Sequence, residues 1–248
     1  GVVSGYEFTK YGGSNNAENS GTLKYVSIRH TGTAVSPGNE LQGLTMGGVG
    51  SGTVIENIEL IGSEDDGIEI FGGAVNVTNI VIANFDDDGI DLDQAYDGTI
   101  SNAVVIMAPG SDTVFEIDGT EEPNNAIVGE YTIKNVTAYG RSDAAKFDTF
   151  GNWKSDATGF NENVLFVDFP ASTTLGGIDS DTYDGAGTAP IEGKLNFKDF
   201  IVVTSDSKAT VVGGQVDEAS ATWISVSTTR PSSKGADESV FGWTQFFN

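Results

Sequence analysis

Apolar residues in this chain alternate with polar ones in short runs, and one such run is said repeatedly. Ile55-Glu56-Asn57-Ile58-Glu59-Leu60 is followed by Asp65-Asp66-Gly67-Ile68-Glu69-Ile70. The phrase returns as Val77-Thr78-Asn79-Ile80-Val81-Ile82 with Asp87-Asp88-Gly89-Ile90-Asp91-Leu92, and again as Ile100-Ser101-Asn102-Ala103-Val104-Val105 with Asp112 and Phe115-Glu116-Ile117. The period is 22 or 23 residues. Self-similarity at that period in β-branched, alternating segments marks a solenoid whose coils stack strand upon strand. The pattern predicts an all-β chain, a single-stranded parallel β-helix with coils of about 22 residues, long side loops and an aromatic C-terminal cap.

Further copies start at Leu23, Ile133, Asn161 and Phe197. In the fifth coil Ala145-Lys146-Phe147 takes the place of the second strand. One elongated domain over residues 1–248 follows: a closing segment at 1–20, coils over 21–204, and a last coil and cap over 205–248. The recurrent Asn57, Asn79, Asn102, Asn135 and Asn163 stand where the backbone bends, so their amides are expected to form an internal ladder. Asp-Asp-Gly at 65–67 and 87–89 is ordinary turn chemistry, with a positive φ at the glycine, or else a cation corner. Phe241-Gly242-Trp243 and Phe246-Phe247 are expected to cover the last apolar layer.

Alternation places the middle residue of each short triplet outside. One outward column then reads Thr45, Glu69, Asp91, Glu116, Lys146, and the next reads Gly47, Phe71, Asp93, Asp118, Asp148. Rungs of a parallel ladder lie ~4.8 Å apart, and carboxylates at that separation repel by about 1 kcal/mol in water and more in a protein. Three things can offset the cost: a hard cation such as Ca2+, a carboxyl that keeps its proton, or full solvation. On the first of these Glu69, Asp91, Asp93, Glu116, Asp118 and Asp148 are candidate Ca2+ ligands. Overhanging loops after Asp118 and Asp148 would make a groove beside this face, with Phe71, Arg141, Lys146 and Trp153 as candidate carbohydrate contacts.

Charge narrows the classes. Asp and Glu outnumber Lys and Arg by 36 to 12, a net charge of −24, which repels nucleic acid and anionic lipid and attracts divalent cations. There is no cysteine for disulfides or thiolate metal sites, and no apolar run has the ~18 residues of a membrane span. The single histidine, His30, has no acid and nucleophile arranged for a triad.

With the coil phrase, the Asn column and the Asp-Asp-Gly-Ile corners on the page, the chain resembles the pectin-lyase-like right-handed parallel β-helix superfamily. Segments such as Ser20–Arg29, Glu40–Gly48, Asp65–Gly73, Phe115–Gly119 and Gly242–Thr244 look like those of secreted or outer-membrane-associated β-helix proteins of Bacteroidota. The likeness is good over about residues 20–150 and looser beyond. It implies a right-handed helix, in line with the handedness of parallel crossovers, and carbohydrate as the substrate class. The superfamily's hydrolases carry Asp-Asp pairs on successive coils, but their Gly-His-Gly and Arg-x-Lys elements are absent here. Its lyases use Ca2+ and a Lys or Arg base. If the chain is an enzyme, Asp91, Asp93, Arg141 and Lys146 are the catalytic candidates.

The leading expectation is a non-catalytic β-helix, secreted or on the bacterial outer membrane exterior, that binds Ca2+ on its acidic face. It would present loops to a polysaccharide or cell-surface partner and could be part of a larger surface protein. A polysaccharide lyase or glycoside hydrolase on the same face is the alternative, and a structural stalk segment the third reading.

Overall fold

The computed structural model describes residues 10–36, 39–120, 129–141, 149–178 and 194–247. Nearly every strand belongs to one of two parallel sheets. The long sheet stacks Thr22–Thr31, Val54–Ser63, Asn76–Ala83, Thr99–Ile106, Tyr131–Tyr139, Gly159–Val167, Leu195–Val203 and Ile224–Ser227 in that order. The short sheet stacks Leu44–Gly47, Ile68–Phe71, Ile90–Asp93, Phe115–Asp118 and Gly151–Lys154. Each middle coil gives one strand to each sheet, which is the predicted parallel β-helix. Among the described residues, only the hairpin Thr33–Ser36 with Asn39–Leu41 is antiparallel. Among the described residues, no helix is long and apolar enough to cross a membrane.

Why the long strands carry Asn at one position is visible in the backbone. Asn57, Asn79, Asn102, Asn135 and Asn163 all have φ between 56° and 59°. A short polar side chain tolerates this left-handed region better than most. The bend lets Ile55 and Ile58 both point inward, three residues apart, and alternation then resumes with Glu59 out and Leu60 in. Asn79 donates to Asn57 at 3.0 Å, Asn102 to Asn79 at 2.7 Å and Asn163 to Asn135 at 2.7 Å. The ladder is half-buried and roofed from outside, where the sequence suggested an internal one.

The roof is the C-terminal tail, and here the structure departs from expectation. Residues 235–247 run back along the outside of the long sheet instead of covering its last layer. The Gly235 amide donates to Asn163, Ala236 to Thr137 and Asp237 to Asn102. Further down, Phe241 packs on Val81 and Val104, and the Gln245 amide donates to Glu59 at 2.6 Å. Trp243 meets Tyr25 edge to face. Val81, Val104 and Leu165, outward by alternation, are fully buried for this reason. Buried Glu59 also accepts from Ser27 and Arg29, and these bonds outweigh burial to hold its carboxyl below the usual range. Towards the upper coils, Val211 and Val212 of the helix Lys208–Val212 join the core instead, and Trp223 stacks on Phe197.

The corner glycines are needed for room. Neither Gly67 nor Gly89 has the positive φ expected of them. A Cβ on Gly67 would lie 2.7 Å from the Gly89 carbonyl oxygen and strike the Ile82 side chain, while one on Gly89 would lie 2.8 Å from Val105. Gly67→Ala is therefore expected to destabilise by about 1–3 kcal/mol, as overpacking does. A thermal melt equal to that of the unaltered protein would contradict this account.

Candidate functional site

The short sheet holds its outward residues in the register that the repeat implied. Thr45 faces Glu69, Glu69 faces Asp91, Asp91 faces Glu116, and Glu116 faces Asn152. The fifth coil differs. Its short strand is Gly151–Lys154, so Asn152 and Lys154 occupy the places given to Lys146 and Asp148. Lys146 and Asp148 themselves lie outside the described residues. The slip arose because Ala145-Lys146-Phe147 imitates the apolar-x-apolar triplet, whereas Gly151-Asn152-Trp153 has glycine at its first inward position.

Two corrections follow from that register. Trp153 points into the bore with no exposure, against Phe115 and Phe197, so it is a core residue and not a sugar contact. The segment 149–160, expected as an overhanging loop, instead supplies a rung of the short sheet and the start of the next long strand. Lys154 also changes the upper acidic column: its ammonium lies 2.7 Å from Glu116 and 3.2 Å from Asp118. Ser155 donates to the other Asp118 oxygen at 2.7 Å. A built-in cation thus neutralises the pair proposed as metal ligands, and those carboxylates in turn raise the Lys154 pKa. Arg141 is exposed, two residues past the long strand Tyr131–Tyr139. Asp93 is half-buried, next to Phe71 in register.

Lower down, Glu69 and Asp91 have no ion pair among the described residues. Glu69 is 6% exposed and Asp91 7%, although both project away from the bore. They are joined by Asp66 from the preceding corner, and each of the three offers an oxygen within 4.8 Å of the others. The Asp66 Oδ1 accepts from the Asp88 amide at 3.0 Å, and Asp88 Oδ1 accepts from the Thr113 amide at 2.8 Å. Turn chemistry therefore accounts for one oxygen of each aspartate. Among the described residues, Glu69 Oε2 and Asp91 Oδ1 are buried with no hydrogen-bond partner. Oxygens so placed are costly unless something is bound there.

The electrostatics agree. Burial, with Asp65, Asp88 and Glu69 adding repulsion, pushes the Asp66 carboxyl up to about 9. Burial and the charges of Asp93, Asp65 and Glu116 push Glu69 up to about 9. Burial likewise raises Asp88 to about 8 and holds Asp91 well above the carboxylate range. Without a cation the cluster keeps protons, and Glu69 and Asp91 are close enough to share one. A second trio, Asp65, Asp66 and Asp87, shares Asp66 with the first and reaches solvent through Asp87. It gives a cation a path inward. Three carboxylates of hard oxygen suit Ca2+, with water completing the six to eight ligands it takes.

Two stacked parallel sheets wrapped on one apolar bore, with carboxylates in register on an outer face, define a parallel β-helix with an acidic face. The chain belongs to the pectate-lyase-like β-helix family: the model of the pectate-lyase like beta helix domain matches residues 3–247. Comparison with curated proteins and with solved structures finds no match.

The sequence offers Asp66 as a turn residue or a cation corner, apart from the column of outward carboxylates. Its signal was present, since it is the second Asp of a corner that recurs 22 residues later at Asp88. An Asp-Gly turn uses one oxygen of such a residue and leaves the other for a ligand.

Proposed function

We propose that this protein is a calcium-binding β-helix module of the cell exterior, holding the ion between Asp66, Glu69 and Asp91 and presenting the adjoining surface to a carbohydrate or cell-surface partner. The observation that carries the reading is the pair of buried, partnerless oxygens on Glu69 and Asp91 beside a third buried carboxylate. A divalent ion turns their mutual repulsion into coordination. The excess of acids over bases favours cation capture over the whole surface. Glu116, Asp118 and Lys154 close the upper end of the column with their own ion pairs, so the ion sits at the lower end.

Calorimetric titration of EDTA-treated protein with Ca2+ at pH 7.5 tests this. Binding heat is expected, together with a Tm rise of about 5–10 °C at a free calcium a hundredfold above Kd. Absence of both heat and shift would remove the cation site.

A second reading, glycoside hydrolysis on the same face, has one observation in its favour. Metal-free Glu69, pushed up to about 9, carries the proton that a general acid must hold at neutral pH. Release of reducing ends from a polysaccharide panel, lost in Glu69→Gln, would favour it.

A further inference from the structure

A cleft of about 540 Å3 opens beyond the end of the short sheet, apart from the carboxylate trio. One wall is the N-terminal segment, which lies over the lower coils because Gly47 leaves room: a Cβ there would be 2.7 Å from the Tyr11 ring. The other wall is made by the corners that follow the short strands. These turn through left-handed residues on successive coils: Gly48, then Gly72 and Gly73, then Gln94 and Ala95. Phe71, outward and half-buried, sets its ring 5.8 Å from that of Tyr11 at 42°. Two tilted aromatic faces therefore line a pocket whose remaining side chains are chiefly amides, hydroxyls and the carboxylates of Glu18 and Asp97.

That lining selects by chemistry. Aromatic faces pack on flat, apolar ring faces, and amides and hydroxyls hydrogen-bond to hydroxyl groups around a ring's rim. Among the described residues, no Lys, Arg or His lines the cleft. With two acids in its walls and a net charge of −24 around it, an anionic ligand is repelled. The volume lies within the range of small-molecule sites. Both acids already hold backbone: Glu18 accepts from the Gly50 amide at 3.2 Å and Asp97 from the Glu130 amide at 3.0 Å. They keep the walls in place and keep anions out, leaving stacking and neutral hydrogen bonds as the means of recognition.

We propose that this cleft binds an uncharged saccharide, a polyhydroxylated ring stacked on Phe71 and Tyr11. The inference deepens the carbohydrate-binding part of the function proposed above and rests on it, but it does not require the cation. The test is calorimetric titration of the protein with short xylo-, manno- and cello-oligosaccharides, with oligogalacturonate and with tetramethylammonium, each in Ca2+ and in EDTA. Two variants accompany it. Phe71→Ala removes the platform, and Gly13→Leu fills the cleft from a position where a Cβ meets nothing within 4 Å.

A neutral oligosaccharide is expected to bind equally in Ca2+ and EDTA, and both variants are expected to weaken it about two- to tenfold, the worth of one aromatic contact. Gly13→Leu should leave the thermal melt unchanged, and it carries the test where Phe71→Ala, by taking packing from Tyr11, lowers it. Binding of oligogalacturonate alone, and only with Ca2+, would overturn the cleft assignment while leaving a carbohydrate function intact. Preference for tetramethylammonium would overturn it in favour of a cation cage. Neutral binding that survives both variants places the ligand elsewhere, and binding of no glycan at all removes the carbohydrate function as well.

Discussion

Asp91→Asn is expected to raise the Tm of the EDTA-treated protein at pH 8 and to abolish its response to Ca2+. The folded protein holds protons on Asp66 and Glu69 up to about pH 9, and on Asp91 well above the carboxylate range. The unfolded chain releases them near the ordinary carboxyl values of 3.8 and 4.5. Folded pKa values raised in this way give stability that is complete below about pH 4 and is lost as the pH climbs through the folded values. Metal-free protein should therefore melt progressively lower between pH 5 and pH 9. Each unit of pH over which one such proton is retained is worth about 1.4 kcal/mol, or about 3–6 °C in a chain of this size. Asparagine keeps the shape and has no charge to bury, so it escapes this loss. It also removes one of the three proposed Ca2+ ligands. A lower Tm for Asp91→Asn in EDTA would mean that the carboxylate is already well satisfied without a metal.

The second large effect is expected at the tail. Phe241 is fully buried against Val81 and Val104, with Phe247 5.7 Å away. Phe241→Ala should cost about 3–5 kcal/mol, the usual range for emptying a buried aromatic site, and lower Tm by about 10 °C or more. Loss of this anchor should also free Trp243 from Tyr25, giving a red shift in tryptophan emission before the main transition. If the tail merely rests on the surface, melt and emission will both match the unaltered protein. Solenoid rungs hold chiefly to their neighbours. A tail bonded to Asn163, Thr137, Asn102 and Glu59 ties non-adjacent rungs together, so a single sharp transition is expected.

Most of the fold could be read from the repeat, because a strict period fixes both the strands and their stacking. The register of Glu69, Asp91 and Glu116 follows from counting residues within the phrase, and the structure keeps it. Counting failed where the phrase loosened. In the fifth coil the rung of the short sheet is the strand at 151–154 and not the triplet counted at 145–147, which changes the places of Trp153 and Lys154. The tail was misplaced for a different reason. Its partners are scattered one per coil, and no local pattern connects Phe241 to Val81. A clue existed in the apolar residues at outward positions, since Val81, Val104 and Leu165 have no place on a wetted face. Of the site, Glu69 and Asp91 were legible as a column, whereas Asp66 comes from a corner whose turn role hid its second oxygen.

The bond between Gln245 and Glu59 joins positions 186 residues apart, and Asp237 reaches 135 residues back to Asn102. During synthesis the early coils emerge and can stack long before the segment that seals them exists. Until then Val81 and Val104 stay wet and Glu59 lacks its amide. The nascent coils therefore present a sticky stripe for most of the time needed to make them. Sealing waits on residues 235–247, so a chain that stops short of them carries that stripe uncovered.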